Sequence, residues 1–172
     1  MATLFVDKVD PQSGTSLEIG SSGDTITSSA TMGSGMGKLL QLVSATDSSE
    51  RTTTSTSFVT GSNTLSVNIT PASTSNKVFV CVSLGSGNNT SGHHTYTTIY
   101  RDSSNLGSTQ GFLTNYQGGT GEHYGGASMS ITDSPSTTSQ VTYQVYFKVS
   151  SGTGKINSSA GTGTITAMEI QG

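Results

Sequence analysis

The sequence predicts an all-β protein: an antiparallel β-sandwich of jelly-roll size, about eight strands, preceded by a short extended segment suited to anchoring. Three observations predict it. Apolar residues recur with period two, and no window shows the i, i+3, i+4, i+7 spacing of an amphipathic helix. The alternating runs are separated by clusters of Gly, Ser, Asn and Pro. Thr dominates the polar side of those runs, where its β-branched stem suits a half-exposed pleated surface.

Residues 1–37 form the first unit. Leu4-Phe5-Val6 and Leu17-Glu18-Ile19 are short strand candidates separated by Pro11 and Gly14. A turn at Gly20 to Gly23 leads into Thr25-Ile26-Thr27, and Gly33-Ser34-Gly35-Met36-Gly37 reads as a flexible joint. The segment is too poor in hydrophobes to hold a core alone. It is expected to be ordered by pairing with other copies or by docking on a partner, which makes it an attachment device. Met1 to Asp10 carries acids and no long apolar stretch, so it does not read as a secretory signal.

Residues 38–172 form the second unit, the sandwich. Strands are expected near 38–46, 55–60, 64–70, 76–85, 95–101, 127–132, 140–149 and 163–170, with 105–113 as a ninth candidate. The clearest alternation puts Val141, Tyr143, Val145, Phe147 and Val149 on one side and Thr142, Gln144 and Lys148 on the other. Val78, Val80, Val82 and Leu84 make a second apolar face, and Leu65, Val67 and Ile69 a third. Breakers fall at Gly61-Ser62-Asn63, Pro71-Ala72-Ser73, Gly85 to Gly92, Gly118-Gly119, Ser134-Pro135, Gly152-Thr153-Gly154 and Gly161-Thr162-Gly163.

Composition narrows the function. Of 172 residues, 31 are Ser, 29 Thr and 22 Gly, while charged residues make up only 10% with a net charge of −3. So small a charge argues against a disordered polyelectrolyte. Seven scattered basic residues leave no electrostatic footprint for nucleic acid and no polybasic segment for a membrane surface. No apolar run is long enough for a spanning helix. The single cysteine, Cys81, rules out an internal disulfide framework and reads as a small buried hydrophobe. A thin core without staples points to oligomerisation, which buries surface that one chain cannot cover.

Catalytic signatures are missing. The phosphate-loop pattern fails because Gly37-Lys38 is followed by Leu39 and Met32 stands where its first glycine belongs. No Gly-x-Ser-x-Gly elbow occurs, and the spacing of the ten carboxylates nominates no acid–base pair. No enzyme, cofactor or metal is expected, although a histidine on a trimer axis would appear three times. The candidate binding residues are His93, His94, Tyr96, Tyr116, His123 and Tyr124, in the polar stretches 86–98 and 115–126, read as long loops. Tyr among Ser, Gly and Asn suits contact surfaces, for a glycan or another protein. Equally, such rings can cover sheet edges or pack between subunits.

A set of short segments carries a resemblance. Lys38 to Thr46 is followed by a Thr/Ser run ending in Ser57-Phe58-Val59, then Ile69-Thr70-Pro71, Thr74 to Val80 and Tyr100-Arg101-Asp102. Ser128-Met129-Ser130, Asp133 to Thr138, Thr142-Tyr143 and Ile165 to Ile170 complete it. This order resembles the C-terminal domain of fibre-like virion proteins of tailed bacteriophages, particularly marine ones. Val9 to Gly14 and Gly23 to Thr27 resemble short repeats of phage fibre shafts. The resemblance implies a trimeric β-sandwich located in the virion, partnered by tail or capsid proteins. It implies a role in virion structure or host attachment, with no catalysis. With only some 37 residues ahead of the sandwich, it implies a short fibre, a knob or a decoration.

Overall fold

The computed structural model describes residues 38–158 and 161–172, and the described residues contain strands and connections but no helix. The strand candidates and Gly-rich joint expected within 1–37 lie outside the described residues. Eleven strands follow in order: β1 (Leu39–Asp47), β2 (Arg51–Thr53), β3 (Ser66–Ile69), β4 (Lys77–Asn88), β5 (His93–Arg101), β6 (Ser104–Asn105), β7 (Leu113–Gln117), β8 (His123–Asp133), β9 (Val141–Val149), β10 (Gly154–Ile156) and β11 (Gly163–Ile170). The chain is an all-β sandwich of two antiparallel sheets.

In the first sheet β4 is flanked by β8 on one side and by β11 then β1 on the other, with β10 and β2 continuing past β11 along the end of β4. The second sheet runs β3-β9-β5, and β6 and β7 share the far side of β5. The chain crosses between sheets six times, at β2 to β3, β3 to β4, β4 to β5, β7 to β8, β8 to β9 and β9 to β10. Each crossing lets a strand of one-sided hydrophobicity turn that side to the same interior.

The alternation expected from sequence sets the core. Val78, Val80, Val82 and Leu84 of β4 face Val141, Tyr143, Val145, Phe147 and Val149 of β9, all buried. Leu65, Val67 and Ile69 close one flank, with Ile165 and Ala167 of β11 beside Val82 and Val80. Cys81 corrects an expectation. It has the outward parity of β4 and is half-buried, because the register that buries Val80 and Val82 must turn the residue between them away.

Three other expectations change. The strand expected at 55–60 is an irregular edge whose backbone bonds to β9 only between Val59 and Phe147 and from Val149 N–H to the Ser55 carbonyl. Local hydroxyls capture its backbone: Ser55 N–H donates to Thr53 Oγ1, and Ser57 N–H to Ser55 Oγ. The pairing falls instead to Arg51–Thr53, on β10, so Gly154 belongs to a strand rather than a turn. Segment 105–113 is mainly a loop between β6 and β7. It doubles back at Gly111, whose φ of +79° suits a residue without a β-carbon.

One buried carboxylate ties the first sheet to its loops. Glu169 takes an inward position of β11, is fully buried, and pairs with no basic side chain among the described residues. The Gln41 amide of β1 donates to its Oε2 at 2.5 Å, while Ala72 N–H and Asn76 Nδ2 donate to Oε1 at 2.7 and 2.5 Å. Burial pushes the carboxyl up, but these hydrogen bonds outweigh it and hold it below its ordinary value of 4.5. A folded-state value below the unfolded one adds stability above that ordinary range, lost as pH falls through it. The urea midpoint is therefore expected to fall below about pH 5. Glu169→Gln should flatten that fall in part, the rest coming from Asp47, which Arg51 and two backbone N–H groups also hold low against its burial. An unchanged acid slope in the variant would remove Glu169 from this role.

Candidate functional site

The six sequence-predicted residues lie on strands, not in long loops. His93, His94 and Tyr96 belong to β5, Tyr116 to β7, and His123 and Tyr124 to β8. The polar stretch Gly85-Ser86-Gly87-Asn88 continues β4 and pairs with Gly126 back to His123. Gly87 is there for space: a β-carbon would collide with the His123 carbonyl and the Tyr124 ring. A tight turn at 89–92 then reverses the chain into β5.

The sandwich brings these residues to one pole but on different faces. His94 packs against Tyr96, with ring centroids 5.6 Å apart, and against Tyr116 across the β5–β7 pair at 4.8 Å. These three sit on the outer face of the second sheet, where Tyr116 is 53% exposed. Tyr124 lies on the first sheet, and its hydroxyl donates to Glu122 Oε2 at 2.6 Å. Lys155 of β10 sits over the Tyr124 ring at 5.7 Å and bridges Glu122 at 2.9 Å and Glu50 at 3.5 Å. The Tyr124 hydrogen bond, then Lys155, holds Glu122 low; Glu122 in turn raises the Lys155 ammonium. Tyr124 therefore has its hydroxyl and one ring face already engaged. His93 Nδ1 lies 3.4 Å from Ser150 Oγ, and His123 is exposed on β8.

Sequence reasoning missed the larger part of this surface. Tyr100 and Tyr146 stack with centroids 4.0 Å apart, and Phe58 meets Tyr100 edge-on at 6.2 Å. Lys148 Nζ stands between the two aromatic groups, 4.6 Å from the Phe58 centroid and 5.4 Å from that of Tyr96. It donates to the Thr109 carbonyl at 2.7 Å. One signal was available: Tyr146 is a large aromatic at a polar position of a strand that otherwise alternates cleanly.

A second polar network links the two sheets. Arg101 grips Asp133 with Nη1 at 3.0 and 2.8 Å, and Tyr143 donates to the same carboxylate at 2.7 Å. Burial, and then Asp133, pushes the Tyr143 hydroxyl far above its usual range, so it serves as a neutral donor. A small cleft of about 50 Å³ opens where the sheets approach, lined by Ser86, Thr97, Asn115 and Ala127 among others. Among the described residues no three His, Cys, Asp or Glu side chains converge as a metal cage. What this arrangement offers chemically is contact: ring edges, tyrosine hydroxyls and one ammonium on a firm sheet.

No protein-family model matches the chain, and no curated protein matches it. Among solved structures, the VP2 protein of infectious bursal disease virus (a D431N mutant, from derived T=1 particles) is similar over 76% of this chain at 13% identity, with a TM-score of 0.42. This chain spans 36% of that one. A likeness at this level carries no argument about function.

The His94 cluster makes a direct expectation. His94 ring protons should resonate upfield of an exposed histidine because two tyrosine rings shield them, and Tyr116→Ala should remove part of that shift. The half-exposed Tyr116 should cost no more than about 1 kcal/mol in urea unfolding. An unshifted His94 spectrum in the parent protein would contradict the stacking.

Proposed function

We propose that the chain is a virion structural protein of the fibre type. In this reading it is a homotrimer anchored through residues 1–37, and its sandwich faces outward for host attachment. The observation that carries the reading is polarity. The sandwich is entered at Lys38, whose carbonyl accepts from Gln171 N–H, so chain entry and C-terminus share the Lys77 end of β4. His93, His94, Tyr116 and His123 gather at the opposite, Asn88 end. Attachment at one pole leaves the opposite pole and the outer face of the second sheet free. The ordered segments resembling phage fibre proteins add the virion setting.

The first sheet supports self-association. Of four large exposed hydrophobics among the described residues, Leu39, Leu40 and Leu42 all lie on the edge strand β1. Leu42 continues outward through Met168 and Phe79 in adjacent strands, both half-buried. Outward positions of β1, β11, β4 and β8 carry one charge, Lys77 at an end. An edge so long and apolar is a template for pairing. Four strands about 4.8 Å apart and about eight residues long make a face of roughly 500 Å². Three such faces turned toward a common threefold axis would together remove about 1,500 Å², within the range of stable interfaces. A second copy of this chain is the occupant that meets an uncharged face without burying an unpaired charge.

Three experiments test the reading. In sedimentation the full chain should be trimeric, and Leu42→Glu should shift it toward monomer; a trimer that survives Leu42→Glu places the seam elsewhere, and a monomeric parent refutes the trimer. On purified particles, deleting residues 1–37 should abolish incorporation. Counting copies per particle separates host attachment, a small multiple of three, from the alternative of a capsid decoration, whose number would approach that of the capsid protein.

A further inference from the structure

Lys148 is the one formal charge at the outward positions of β3, β9, β5 and β7. No carboxylate among the described residues pairs with it. Lys77 likewise lacks a carboxylate and donates to Ser134 Oγ at 2.7 Å, but unlike Lys148 it stands over no aromatic ring among the described residues. Arg51, Arg101 and Lys155 each hold a carboxylate at 2.9, 2.8 and 2.9 Å. Lys148 instead gives a single hydrogen bond to the neutral Thr109 carbonyl. Its ammonium carries three donors, so two remain for a ligand.

The surroundings are built rather than incidental. Phe58, Tyr100 and Tyr146 form one aromatic group, and Tyr96, His94 and Tyr116 the other, with the ammonium between them. The loop carrying Thr109 forms a wall beside the row, held to β5 by Leu106 N–H on the Ile99 carbonyl and Phe112 N–H on the Thr97 carbonyl. From His94 to Tyr100 the row follows β5 for about 20 Å, enough for several sugar units. Rings stacked on one another expose edges and hydroxyls. Such a row meets alternating C–H and O–H groups better than it meets a purely apolar chain.

We propose that this row binds an acidic oligosaccharide, with a uronate-type carboxylate seated on Lys148 Nζ and the neighbouring sugar rings lying against Tyr96, Phe58 and Tyr100. The inference rests on the host-attachment reading and names its ligand class. A carboxylate satisfies the unpaired ammonium with charge-assisted hydrogen bonds. Neighbouring ring edges lower the local dielectric and strengthen that pairing.

The test is affinity electrophoresis of the full chain in gels containing polygalacturonate, alginate, hyaluronate or neutral dextran, beside adsorption to host cells. Retardation is expected with at least one acidic polymer and not with dextran, weakening as salt rises. Lys148→Gln should weaken binding about tenfold or more, Lys148→Arg should restore it, and Tyr96→Ala should weaken it with Lys148 intact. Urea midpoints of all three variants should stay near the parent's, which excludes misfolding as the cause. Binding of dextran as strongly as the acidic polymers, or full binding by Lys148→Gln, overturns Lys148 as the recognition point while leaving attachment standing. Adsorption to cells with no retardation by any acidic polymer overturns the ligand class alone. Failure to adsorb to cells and to all four polymers overturns the attachment reading as well.

Discussion

The whole sandwich depends on one layer of contact, the inward faces of β4 and β9. Val78 to Leu84 on one strand and Val141 to Val149 on the other alternate so strictly that each has a single register in which its apolar side is dry. Slipping either strand by one residue would bury Phe79 or Lys148 and expose the valines. Pairing on both sides of β4 and β9 then propagates that register outward. β8, β11 and β10 take theirs from β4, and β3 and β5 from β9. The outer faces follow automatically, so the aromatic row and the uncharged β1 face are set by residues that touch neither.

The few charges are used mostly inward or along edges. Asp47 gathers Arg51, Ser49 N–H and Thr64 N–H at the end of β1, Asp133 gathers Arg101 and Tyr143, and Glu169 gathers three donors. Each network gives a buried or half-buried carboxylate several partners, the condition under which burying a charge does not wreck a fold. Ser, Thr and Gly then cover most of the surface. That makes the molecule hydrogen-bonding without being electrostatically directed, and it sharpens the meaning of an isolated ammonium.

Much of the architecture was legible in the sequence because period two is a geometric signal. The run Val141 to Val149 reads as a half-buried strand without any knowledge of its partners. The failures have two causes, one distant in the sequence and one local. Gly85 to Asn88 looks like a turn, yet it is a strand whose glycine makes room for Tyr124, a requirement set by β8, 36 or more residues away. Residues 55–60 have strand composition, but their own hydroxyls compete for the backbone. The candidate site was half legible. Tyr96, His94 and Tyr116 stood out by type, whereas Phe58, Tyr100, Tyr146 and Lys148 join them only when β5 and β9 pair and the 55–60 edge folds alongside.

The direction in which β1 enters the first sheet has a mechanical meaning. β1 starts at the Lys38 pole and runs antiparallel to β11 through eight paired positions, Leu39 with Ile170 to Asp47 with Gly163. Tension between Lys38 and the Asn88 end pulls along the strand axis, so it slides β1 past β11 rather than peeling it away. In that geometry the ladder's hydrogen bonds share the load together, whereas peeling would break them one after another. Forced rupture is governed by the unfolding barrier, and a shared load raises the force needed to cross it. The sandwich is thus most resistant to force applied along its strands, between the Lys38 end and the Asn88 end.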